Sequence, residues 1–217
     1  MSAFHQISNE AAKAGAQLVA VSKTRPNEAV MQIYNQGQRL FAENRVQDLL
    51  DKAAVLPNDI QWHLIGHLQT NKVKYIAPFI AMIHAIDSWK LLEECQRQAA
   101  KHQRNIRCLL QLHIAEETTK FGFSKEELIE VASKFAAQPM PNIILAGIMT
   151  MATNTNDTQK ISSEFETAHQ LFLELKNKVF HQQPEFCELS MGMSSDYRIA
   201  LQHGATLIRV GSLLFQE

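Results

Sequence analysis

Residues 17–37, QLVAVSKTRPNEAVMQIYNQG, read as one strand followed by one helix. Leu18, Val19, Ala20 and Val21 are continuously apolar rather than alternating, the pattern of a parallel strand covered on both faces. Thr24-Arg25-Pro26 stops the run. Pro26 suits the first helical position and Gly37 the C-cap, so a helix fills the interval. The strand also delivers a lysine, Lys23, at its carboxyl end.

The same unit recurs along the chain. Further apolar runs are QRLFAE (38–43), IQWHLIG (60–66), MIHAID (82–87), IRCLLQLH (106–113), ILAGIMTM (144–151), FCELSMG (186–192) and TLIRVG (206–211). Between them, Ser124 with Glu127 forms a capping box ahead of Leu128, Ala132 and Phe135. Asp157 leads a longer helix with Ile161, Phe165, Ala168, Phe172 and Leu175 on one face. A weak helix over residues 71–76 is cut short by Pro78, and residues 194–204 make a short last one. Eight strands alternating with helices predict a single (β/α)8 TIM barrel domain over residues 1–217, with an extra N-terminal helix over residues 2–14. An open doubly wound sheet has the same periodicity and stays open as an alternative. Both put functional groups at the carboxyl ends of the strands.

Composition narrows the class. The chain has 217 residues, 46% of them hydrophobic, enough for a substantial core, and no Pro/Gly/Ser-rich linker divides it. Its 21 basic and 22 acidic residues are scattered, which predicts neither nucleic-acid nor membrane binding. Cys95, Cys108 and Cys187 are distant and form no CxxC, the usage of reduced cytoplasmic thiols. No run has the length of a membrane span or the apolar core of a signal peptide.

The strand exits collect chemistry. A lysine held there by rigid backbone is expected to be partly desolvated, which lowers its pKa and suits Schiff-base formation with aldehydes. The plainer reading is a lysine that snorkels to solvent and pairs with Glu43 or Asp87. In LSMGMSSD (189–196), Gly192 permits close backbone approach and Ser194-Ser195-Asp196 reads as a helix N-terminus, a place for phosphate. In IRVGS (208–212), Gly211-Ser212 ends the last strand, and phosphate sites of such barrels often use the last two loops. Arg209 shares the face of Gly211 and points to the ligand or the barrel interior, unless it forms a structural salt bridge with a residue such as Asp87. His63 and His67 flank Gly66 without an HExxH, so no metal site is expected. GxGxxG, GxxxxGK[ST] and GxSxG are all absent.

These residues resemble the pyridoxal phosphate homeostasis protein family. The resemblance runs in order through AVSKTRP (20–26), FAENRVQ (41–47), WHLIGHLQTNK (62–72), KFGF (120–123), GIMTM (147–151), LSMGMSSD (189–196) and IRVG (208–211). It implies a monomeric barrel similar to the N-terminal domain of alanine racemase, with Lys23 holding pyridoxal 5′-phosphate (PLP) as an internal aldimine. Ser194, Gly211 and Ser212 match phosphate-holding positions, and Arg209 matches the arginine facing the pyridine nitrogen. Asn44, His63 and the run Met191, Gly192 and Met193 match segments lining the pocket. Departures are Ala42 for a usual Gly, Arg45 for Tyr, His113 for Asn, and an ending, Phe215-Gln216-Glu217, without the usual Gly-x-Arg-like pattern.

The resemblance also implies a carrier of intracellular PLP rather than an enzyme, with apo-PLP enzymes as acceptors. An arginine always protonated cannot give the ring nitrogen a proton, and this weakens carbanion stabilisation. No second domain is expected to supply an acid/base, and Tyr34, Tyr75 and Tyr197 lie in helical patterns. No residue is therefore assigned a catalytic role. A PLP-dependent amino-acid racemase or related enzyme of the same barrel type is the alternative.

Overall fold

The computed structural model describes residues 2–116 and 121–215. Eight parallel strands close in sequential order into a barrel: β1 (Gln17–Val21), β2 (Leu40–Glu43), β3 (Gln61–Leu64), β4 (Met82–Ile86), β5 (Ile106–Leu112), β6 (Ile143–Thr150), β7 (Glu188–Ser190) and β8 (Leu207–Val210). The β8–β1 seam, with Gln17 opposite Leu207, completes the ring and removes the open sheet as an alternative. Among the described residues eight α-helices intervene or precede, with a 3-10 turn at Thr70–Lys72 just before the fourth: α1 (Ala3–Lys13), α2 (Asn27–Asn35), α3 (Val46–Ala53), α4 (Val73–Ile76), α5 (Trp89–Lys101), α6 (Lys125–Ala137), α7 (Thr158–Lys178) and α8 (Tyr197–Gln202). None of the described helices is long and apolar enough to cross a membrane.

The strands read as continuous apolar runs because both faces are buried. Val19, Val21, Ala42, Met82, Leu109, Ala146, Met149 and Leu207 fill the barrel interior. Leu18, Ala20, Phe41, Trp62, Leu64, Ile148, Leu189 and Ile208 face the helical layer. Most strands thus feed two cores by alternation, which register shifts interrupt in β4 and β6. Between β5 and β6 the register slips as Cys108 faces Leu145 and Leu109 faces Gly147. Gly147 has φ 150°, and a Cβ there would sit 1.8 Å from the Glu188 carbonyl oxygen, so glycine alone lets β7 approach.

Helix ends follow local chemistry with small shifts from expectation. The capping box at α6 is present: Glu127 N donates to Ser124 Oγ at 3.2 Å and Ser124 N to Glu127 Oε2 at 2.8 Å. Asp157 caps α7 through the Gln159 and Lys160 amides. Pro26 is the extended N-cap of α2 rather than its first turn, and Gly37, at φ 102°, follows the C-cap Gln36. The helix after β7 begins at Tyr197, not Ser194, since residues 194–196 form a turn. Glu10 of α1 clasps α8, accepting from Tyr197 Oη at 2.8 Å and Arg198 Nε at 2.9 Å. Of the motif KFGF, Lys120 lies outside the described residues, as do Gln216 and Glu217 of the ending.

Candidate functional site

The carboxyl ends of β1, β2, β3, β6, β7 and β8 open into a cavity of about 460 Å³. It brings together Lys23, Asn44, Ser194, Arg209, Gly211 and Ser212 from sequences far apart. Val21, Ile65, Met151 and Met193 supply its apolar walls. A larger open groove, about 840 Å³, runs outside the barrel between α2 and the loop after α3, and its lining contains no basic group. The convergent chemistry is at the mouth.

Lys23 is exposed at that mouth, not partly buried as its sequence suggested. The reason is local: β1 ends at Val21, and Ser22-Lys23 already belong to the turn. That turn is closed by Arg25 N donating to Ser22 O at 3.0 Å, with Thr24 at φ 63°. A β-branched residue in the left-handed region is strained, and such strain clusters at functional sites. Both partners proposed for a snorkelling lysine are otherwise engaged. Glu43 is held by Lys52 and Ser22, and Asp87 by His67 Nδ1 at 2.7 Å. Among the described residues the Lys23 amine has no hydrogen bond or ion pair.

Arg209 faces inward from β8, 3% exposed. It donates to Ser190 Oγ at 2.7 Å and to the Thr150 carbonyl oxygen at 2.9 Å, which fixes the guanidinium plane at the cavity floor. No salt bridge with Asp87 forms. Burial pulls its pKa down to about 10 against the opposing influence of Asp196, so it stays charged at neutral pH. Beside it, Gly211 N donates to Ser194 Oγ at 3.3 Å, and Met193 N donates to Asp196 Oδ1 at 2.5 Å. The hydroxyl of Ser194 and the β8 turn therefore already meet across the site.

Three of the nominated residues lie off the cavity wall. His63 is buried beneath the floor, its Nδ1 2.9 Å from Nε2 of His84. Met191 packs into the outer core. Gly192 serves a different contact from the one expected: at φ 90°, a Cβ there would lie 2.5 Å from Cβ of Ala200, so the glycine seats the loop on α8. Met193 and Ser195, both in the LSMGMSSD segment read as part of the pocket, line the cavity. Ile65 and Met151, which were assigned no binding role, line it as well, and Ser190 and Thr150 hold Arg209. An alternating inward position on β7 was the available signal for Ser190. Among the described residues, no group of three or more His, Cys, Asp or Glu side chains is placed to hold a metal.

The class follows from this arrangement and from likeness to known proteins. Residues 3–217 match the family model of the alanine racemase N-terminal domain. An alanine racemase from Bartonella henselae shares the fold, with TM-score 0.70 at 17% identity over 99% of this chain and 59% of that one. Within the class, a pyridoxal phosphate homeostasis protein of Aquifex aeolicus is 36% identical over 93% of this chain and 87% of its own. PipY of Synechococcus elongatus, solved with PLP bound, superposes with TM-score 0.84 at 34% identity, covering 97% of this chain and all of that one. This chain belongs to the pyridoxal phosphate homeostasis protein family.

Proposed function

We propose that this protein binds pyridoxal 5′-phosphate at the barrel mouth and holds it reversibly on Lys23. In this reading it is a cytoplasmic, monomeric carrier and buffer that passes the cofactor to apo-PLP enzymes. One observation carries the reading: an unpartnered lysine amine, an inward arginine and two hydroxyl-bearing turns share one cavity with apolar walls. The residues suit the ligand part by part. Lys23 can take the aldehyde, with the amine nitrogen adding to the carbonyl carbon and water leaving. Ser194 with the Gly211-Ser212 turn can hold the phosphate by hydroxyl and backbone N–H groups. Arg209 can meet the ring nitrogen, while Val21, Ile65 and Met151 cover apolar surface. Asn44 sits at the rim, and His63, Met191 and Gly192 support the wall from behind.

Bound PLP supplies an electron sink, but the cavity offers little to exploit it. Tyr34 donates to Asp59, the buried Tyr197 donates to Glu10 of α1, and no tyrosine lines the cavity. Lys23 is the only group among the described lining residues suited to move a proton from a substrate carbon. Amino-acid exchange with the lysine linkage is therefore open, and efficient racemisation is not. The deciding measurement is the visible spectrum of protein titrated with PLP. A new band absent from the free aldehyde supports covalent binding, and an unchanged sum of spectra removes it.

A further inference from the structure

The wall behind Lys23 contains a sealed polar knot. Strand alternation sends Val19 and Val21 inward and Leu18 and Ala20 to the helical side, and past the strand end Lys23 lines the cavity while the Ser22 side chain turns to Glu43. On that outer side Ser22 and Glu43 are fully buried, and Lys52 of α3 is 8% exposed. Glu43 Oε1 accepts from Ser22 Oγ at 2.7 Å and from Lys52 Nζ at 2.5 Å. The same ammonium donates to the Ser22 carbonyl oxygen at 2.6 Å. That carbonyl also takes the Arg25 amide, the bond that closes the strained turn at Thr24. The Ser22 carbonyl belongs to the peptide unit that carries the Lys23 N–H, so two donors and one carboxylate fix that plane from outside the barrel.

The knot is poorly explained as stability alone. A buried ion pair is weak evidence for stability, because desolvation offsets most of the attraction. Here Glu43 Oε2 is moreover buried with no partner, which adds cost. Apolar side chains of similar volume would seal the same space. What they could not do is hold a main-chain carbonyl and a left-handed threonine in one orientation.

We infer that Glu43 and Lys52 are positioning residues that hold the Ser22–Arg25 turn so that the Lys23 amine is presented to the cavity before any ligand arrives. The inference rests on the PLP reading for what Lys23 captures, but the positioning itself does not depend on it.

The test uses the full chain with Lys52→Met, and with the charge-free pair Glu43→Gln/Lys52→Met should the single variant not fold. Three readouts are taken: hydrogen exchange at the Arg25 amide, the rate of PLP capture at Lys23, and affinity for pyridoxine 5′-phosphate, which lacks the aldehyde. The expected result is exchange and capture altered by about tenfold, the size of one lost charge-assisted bond, with pyridoxine 5′-phosphate affinity unchanged. A variant that folds, yet keeps Arg25 exchange and capture within about twofold of the parent, overturns the inference, twofold being well below one such bond. Equal loss of all three readouts also overturns it, since that marks general damage to the mouth. If the parent captures no PLP, the cofactor reading fails by itself. Reductive methylation of Lys23 by formaldehyde and borohydride then replaces the capture and affinity arms: slowing at Lys23 but not at Lys90 supports positioning, and equal rates overturn it.

Discussion

His63 and His84 face each other, Nδ1 to Nε2 at 2.9 Å, in a part of the barrel closed to water. His84 Nδ1 reaches Ser190 Oγ at 3.0 Å, and Ser190 Oγ receives Arg209 at 2.7 Å. An arginine can only donate, and among the described residues the buried Ser190 hydroxyl has His84 Nδ1 as its one acceptor, so the hydroxyl hydrogen goes to His84. That order assigns both rings as neutral Nε2–H tautomers, on network logic rather than by seeing hydrogens.

Burial pushes His63 down to about 3, with the Arg107 charge adding to it, and holds His84 well below its ordinary value of 6.5, with His63 and Arg209 adding. Folded values lie below unfolded ones, so the unfolded chain binds more protons in acid. Stability is fully present above pH 6.5 and is lost as pH falls towards 3. The slope is about 1.4 kcal/mol per pH unit for each ring. Urea midpoints followed down from neutral pH should fall for the parent and flatten in a His63→Asn/His84→Gln variant. Parallel curves would show that the rings are not the titrating groups.

Lys23 is expected to be the single attachment point of PLP. Borohydride reduction and peptide mapping should find the pyridoxyl group there. Recovery solely on Lys72 or another lysine sinks that assignment.

Ser194→Ala removes a hydroxyl that meets the Gly211 amide at 3.3 Å in the cavity. A charge-assisted bond contributes roughly 1.5–3 kcal/mol, so PLP affinity should drop about tenfold or more. Pyridoxal, without the phosphate, should bind weakly to both forms. Equal binding of the two vitamers refutes a phosphate site at these turns.

Holo-protein incubated with L-amino acids in deuterated water should exchange α-protons slowly or not at all, while surrendering PLP to an apo-enzyme. Turnover near about 1 s⁻¹ that vanishes in Lys23→Ala would identify an enzyme instead.

All eight strands were legible in the sequence, because burial on both faces writes each as an apolar run. The same fact hid which side chains face inward. Ser190 and Met191 are neighbours in one run, yet Ser190 binds Arg209 inside the barrel and Met191 packs outside it. Lys23 was read as partly buried because the run seems to reach it, whereas the backbone leaves the sheet at Val21. The Glu43–Lys52 pair needs α3 laid against β2, and no spacing in the sequence announces that contact. Gly192 read as a ligand contact for a similar reason, since a glycine at a loop does not say which neighbour comes close.

The seam that pairs Gln17 with Leu207 sets a schedule for synthesis at the ribosome. The first strand emerges early and pairs with the second, but its other edge stays bare until the eighth strand leaves the exit tunnel. The clasp between Glu10 and Arg198 likewise joins the two ends of the chain. Until the eighth strand emerges the first strand has an unpaired edge, the feature that invites pairing with strands of other chains.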